Sequence, residues 1–165
     1  MVIWFGFSKT REFSFVSWLI MRFTRARFSH AYIKFQDEHG AFQVFHSVGH
    51  GTEVVPYMTF IKHKEPVNEF REEIISQDYF RGFISGAMGK SYPKMQLVGC
   101  ALAIVLGLKK TVFDNGKSEA MCSETAFYVA QECIKGWTCN ENPDLMTPKR
   151  LHAILHARWK ERLCG

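Results

Sequence analysis

The sequence predicts an α+β domain in which a small antiparallel sheet packs on helices. Three observations carry that prediction. Residues 1–75 fall into short β-rich runs separated by turn residues, whereas near Ser76 the apolar period lengthens to that of a helix, which then dominates residues 76–160. A chain of 165 residues with 47% apolar content and 15 phenylalanines fits one ordinary core, so residues 1–165 read as a single domain. Neither a repeat nor a low-complexity linker interrupts it.

The elements follow in order. Residues 2–7 suit a strand. Residues 13–23 form an apolar run, broken by Ser14, Ser17 and Arg22, that predicts a mostly buried helix. Residues 31–35 and 41–45 are β-rich and flank a five-residue loop ending in Gly40, the pattern of a hairpin. Strands at about 52–55 and 67–74 complete the sheet. After a Ser76 or Asp78 cap, Tyr79, Phe80, Phe83, Ile84, Ala87 and Met88 recur at helical spacing, with Gly89 as a stop. A second helix is expected over 94–108 and a polar loop around 114–116. In the next, Cys122, Ala126, Phe127, Ala130, Cys133 and Ile134 share one face, which puts the Cys122 sulfur on the core side of its first turn. Thr147 and Pro148 then start a last helix, to about residue 158.

Charge and cysteine usage narrow the function. Twenty-one basic against 16 acidic residues give +5, well short of a nucleic-acid-binding arm. Arg22, Arg25 and Arg27 just before His30 suit an anionic substrate, such as a peptidoglycan-like peptide, a phospholipid head group or an acidic protein tail. Five cysteines without CxxC spacing read as free thiols rather than a zinc or redox site. The apolar start at Met1 lacks a basic leader, so the expected compartment is the cytoplasm. The longest apolar run, residues 97–108, is shorter than the roughly 20 residues a spanning helix needs, and no transmembrane segment is expected.

Cys122 carries the chemistry. A thiol in the first turn of a helix sits among unpaired N–H groups at the positive end of the dipole, which favour the thiolate. Met121 offers no capping oxygen to compete for those donors. A nucleophilic cysteine needs a base, and His30 opens a rigid apolar strand able to hold an imidazole against a facing helix. His46 is the candidate orienter, because residues 30 and 46 lie equally far from the hairpin loop and are expected as cross-strand neighbours. Ser47 is an alternative orienter and His50 a weaker one.

These segments carry a resemblance. Phe28-Ser29-His30-Ala31-Tyr32-Ile33, then Gly89-Lys90-Ser91-Tyr92, Met121-Cys122-Ser123-Glu124-Thr125 and Met146-Thr147-Pro148, taken in order, resemble the circularly permuted NlpC and lecithin retinol acyltransferase branch of the papain-like cysteine hydrolases. The resemblance spans about residues 1–155. It implies a permuted papain-like fold, Cys122 as nucleophile, His30 as base and then acid, His46 as orienter, and Tyr92 as an oxyanion-side contact beside the Cys122 backbone N–H. Many permuted members have a carboxylate where this chain has His46, and an Asp where it has Pro93. The activity expected is hydrolysis of an amide in a peptide or peptidoglycan-like substrate through a thioester, without cofactor or metal. The alternatives are a lipid or ester acyltransferase or thioesterase of the same fold, with a lipid-like substrate, and a catalytically inactive binding module. A zinc site using His46 and His50 with His30, His39 or Glu53 fits poorly, since i, i+4 spacing serves a helix and residues 48–52 read as a turn.

Overall fold

The computed structural model describes residues 1–89 and 122–164. The expected helix over 94–108, the loop at 114–116 and Tyr92 lie outside the described residues. The elements run β1 (Val2–Thr10), α1 (Phe15–Thr24), β2 (His30–Gln36), β3 (Phe42–Val48), β4 (Gly51–Pro56), α2 (Tyr57–His63), β5 (Lys64–Glu73), α3 (Gln77–Ala87), α4 (Cys122–Cys133), a 3₁₀ turn (Pro143–Leu145) and α5 (Pro148–Cys164). The class is α+β, with one five-stranded antiparallel sheet in the order β4-β3-β2-β1-β5.

Loop chemistry sets the pairing. The β2–β3 loop is closed by Asp37, whose Oδ1 accepts from the N–H groups of His39 at 3.0 Å and Ala41 at 2.9 Å, and by Gly40 at φ 79°. The resulting register places Ile33 opposite Phe45 and Lys34 opposite Val44. Between β3 and β4, Val48 pairs with Gly51 across the two-residue turn Gly49-His50, which makes His46 and Glu53 direct partners.

The two faces of the sheet differ in content. Ile3, Phe5 and Phe7 of β1, Ala31 and Ile33 of β2, and Phe45 of β3 point into the main core. There they meet Phe80 and Ile84 of α3, Ala126, Phe127 and Ala130 of α4, and Leu151 and Leu155 of α5. The alternate residues of β2 and β3 face the other way, where Tyr32 and Val44 pack with Phe60 of α2. Covering both faces accounts for the unbroken burial of residues 30–33. Gly6, paired with Tyr32, is obligatory on this second face. A Cβ there would stand 2.1 Å from the tyrosine ring, whose hydroxyl donates to Glu69 Oε1 at 2.7 Å.

Three expectations are corrected. Helix α1 is not buried: its one buried residue is Ser17, and Phe15, Val16, Trp18 and Phe23 are exposed. At its buried residue it docks through hydroxyls, Thr10 donating to Ser17 at 3.2 Å and Ser17 bonding Ser29. Helix α2, unforeseen because seven residues starting after Pro56 carry no cap and too short a period, fills the space over Tyr32. Helix α5 runs past residue 158 to Cys164 because Arg158 and Arg162, one turn apart, both reach the buried carboxylate of Glu72 on β5.

Candidate active site

The candidate residues come from three elements that meet near the His30 end of β2. His30 opens that strand and is 6% exposed. Its position is fixed from behind, since Ser29 N–H donates to Ser8 O at 3.1 Å and the Ser29 hydroxyl bonds Ser17 of α1. His30 Nε2 lies 3.1 Å from His46 Nδ1. The rings meet edge to face with centroids 5.3 Å apart, and Phe60 of α2 packs against both. They are diagonal rather than direct cross-strand partners. The β2–β3 register is shifted by two residues from that expected by counting outward from the loop, and a two-residue shift keeps both side chains on one face.

Behind His46 stands Glu53. His46 Nε2 is 3.2 Å from Glu53 Oε1, within ion-pair distance though off the line of a well-formed hydrogen bond. The other carboxylate oxygen is 3.0 Å from the exposed His50 Nε2. A carboxylate only accepts, so we assign the protons as His46 Nε2–H toward Glu53 and His30 Nε2–H to His46 Nδ1, with Nδ1 of His30 as the basic nitrogen. The carboxylate thus stands on β4, one strand out from His46. Sequence reasoning considered Glu53 only as a metal ligand; the signal that would have found it is the Gly49-His50 turn, which pairs residues 46 and 53. Among the described residues, no group of three or more His, Cys, Asp or Glu is placed to hold a metal ion.

Cys122, 5% exposed, begins α4 and meets β2 at the Ala31 backbone. Burial pushes its thiol above the usual cysteine range. The Ala31 backbone N–H, the charge of Lys64, and the N–H groups of Ser123 and of Cys122 itself pull the other way without reversing it. The helix-start donors foreseen from the sequence therefore reach the sulfur, but desolvation outweighs them and the resting group is a thiol. Ser123 anchors this turn by donating to Met146 O.

The imidazoles are neutral for the same reason. Burial, then the neighbouring His46 and Lys64, hold His30 well below the usual histidine value. Burial lowers His46 to about 4 against the opposing pull of Glu53. Lys64, the first residue of β5, thus bears electrostatically on Cys122, His30 and His46 together, and burial lowers its own pKa. It was missed because a lysine at a strand start has no sequence signature; it directly follows α2, whose Phe60 packs on both imidazoles.

The cluster therefore offers a buried thiol, a neutral imidazole oriented by a second imidazole, a carboxylate behind that, and one flanking cation. Cys122 and the His30–His46 pair share two neighbours: Ala31, which follows His30 and gives its N–H to the sulfur, and the charge of Lys64. Comparison with models of protein families and with curated proteins finds no match.

Proposed function

We propose that this chain is a cysteine hydrolase with a circularly permuted papain-like fold, cleaving an amide in a peptide or peptidoglycan-like substrate. The observation that carries the reading is convergence on one strand. His30 opens β2 with its imidazole oriented by His46, and the next residue, Ala31, gives its backbone N–H to the sulfur of Cys122.

In this mechanism Nδ1 of His30 takes the thiol proton as the Cys122 sulfur attacks the carbonyl carbon. The oxyanion accepts from the Cys122 backbone N–H, with Tyr92 as the further donor implied by the family resemblance. His30 then passes its proton to the leaving nitrogen, the C–N bond breaks, and a thioester remains. Water, deprotonated by His30, attacks that thioester, the carboxylic acid departs, and the thiol is restored. Starting from a neutral pair rather than a preformed thiolate makes the base step part of the chemical barrier. It also gives Lys64 a role in stabilising the anion as it forms. Ester and lipid acyl substrates use the same machinery, so the adduct identifies the class.

The test is mass spectrometry of the intact protein after exposure to peptide, peptidoglycan-fragment and acyl-ester substrates. A covalent acyl adduct mapping to Cys122, absent in Cys122→Ala, is expected. Turnover should vanish in Cys122→Ala and His30→Ala with the far-UV circular dichroism unchanged, and His46→Ala should lose about one to three orders of magnitude. Wild-type turnover in either of the first two variants rules the assignment out, and an adduct on another cysteine replaces the nucleophile.

A further inference from the structure

Helix α1 is amphipathic the wrong way round. At about 100° per residue, Trp18, Arg22, Phe15, Leu19, Phe23 and Val16 follow one another around one half of the helix, and Met21, Ser17, Thr24 and Ile20 occupy the other. The second half faces the domain. Its one buried residue is Ser17, bonded to Thr10 and Ser29; Ile20, Met21 and Thr24 beside it are half-buried, and Thr24 donates back within the helix to Ile20 O at 2.7 Å. The first half faces outward, with Phe15 64% and Trp18 47% exposed and their rings stacked at 5.8 Å. Phe13, just before the helix, is 84% exposed.

Scattered surface apolar residues need no explanation, but a helix that hides its hydroxyls and shows its aromatics fits an apolar medium outside the domain. The charges around it specify which medium. Between residues 9 and 27 there are five basic residues against one acid, Glu12. Arg11, Arg22, Arg25 and Arg27 are all exposed, and Arg25 is the left-handed cap that ends the helix at φ 51°. Aromatic and aliphatic side chains flanked by arginines match a headgroup boundary, where rings sit among the upper acyl chains and guanidinium groups meet phosphates. Such a helix lies in the interface rather than across it; among the described residues no helix is long and apolar enough to cross a membrane.

We infer that the outward half of α1 docks the protein on an anionic lipid bilayer surface. Through Ser17 and Ser29 the docked helix is tied directly to the residue before His30, so the bilayer lies beside the His30 end of the sheet. The inference stands apart from the catalytic reading, because none of the docking residues belongs to the acyl-transfer machinery.

Co-sedimentation of the full chain with phosphatidylcholine vesicles, with and without about a third phosphatidylglycerol, tests it. The wild type should bind the anionic vesicles and release as salt is raised. Phe15→Ser with Trp18→Ser should weaken binding at least about tenfold, and Arg22→Glu or Arg25→Glu about fivefold or more each, with unchanged circular dichroism. Cys122→Ala should bind like the wild type, which separates this result from the fate of the proposed enzyme. Absence of wild-type binding overturns the inference, as does binding indifferent to the aromatic pair. A concentration-dependent dimer abolished by the same pair, without vesicle binding, reassigns the face to a second copy of this chain.

Discussion

Helix α1 carries seven apolar residues in ten and buries one residue, a serine, whereas α4 opens on Ser123, Glu124 and Thr125 and buries all three. Each departs from the rule that apolar side chains go inside, and the departures run in opposite directions. A surface helix gains nothing for folding from exposed phenylalanine and tryptophan. A buried first turn lined with hydroxyls and a carboxyl loses stability unless every group finds a partner. Such local inconsistencies gather where a sequence serves something besides its own stability. Here they coincide with the face read as a bilayer contact and with the turn that carries the candidate nucleophile.

Packing variants strain that comparison hardest. Phe127 of α4 is fully buried and meets Trp137 edge-on with centroids 5.9 Å apart. Phe127→Ala should therefore cost about 3–5 kcal/mol in urea unfolding. Phe15→Ala on α1 should stay within about 0.5 kcal/mol of the wild type. Comparable losses in the two variants would mean that α1 is packed like α4, and the inversion would be void.

Acid sharpens the contrast from the other side, through the buried imidazoles near α4. His46 is lowered to about 4 by burial, and His30 lies well below its usual value. Above the ordinary histidine pKa of about 6.5 both folded and unfolded forms are neutral, so nothing is gained or lost. As pH falls below that point the unfolded chain takes up protons that the folded site refuses. Stability therefore declines until the folded pKa is reached, by roughly 3 kcal/mol for His46 across 6.5 to about 4. Urea midpoints between pH 7 and 4.5 should fall in the wild type and fall less in His46→Gln. Parallel slopes in the two proteins would show that His46 is not the titrating group.

Much of this molecule can be read from local pattern. The hairpin at 31–45, the Ser76 cap, the Pro148 start and the placement of Cys122 in a first turn all depend on residues within a few positions of one another, and the structure has each of them. What pattern missed depends on distance in the chain. Periodicity reports that residues 13–23 are apolar but not which medium they face. The β2–β3 register depends on how Asp37 closes its loop, which counting cannot anticipate. The pull of desolvation on Cys122 is set by everything packed around it, so a helix-start cysteine read alone promises a thiolate that burial then withholds. Glu53 joins the histidines through the two-residue β3–β4 turn, and Lys64 follows α2, which carries Phe60 onto both rings.

A modest effect on activity is expected at Glu53, and it separates a structural neighbour from a positioning residue. It touches no atom of Cys122 or His30 in the proposed mechanism and acts through His46, whose pKa it raises against burial. Glu53→Gln keeps the size and an acceptor oxygen while removing the charge, so His46 should titrate below about 4, observable in its ring-proton NMR signals. Loss of the charge-assisted contact is worth about 1 kcal/mol, or roughly fivefold in kcat/KM. That loss should fall on kcat with KM unchanged, because the imidazolium that Glu53 supports forms only during reaction. A role confined to holding the exposed His50 would leave both the His46 titration and kcat where they are. The split between those outcomes decides whether Glu53 positions His46 for the reaction or is only its neighbour on the next strand.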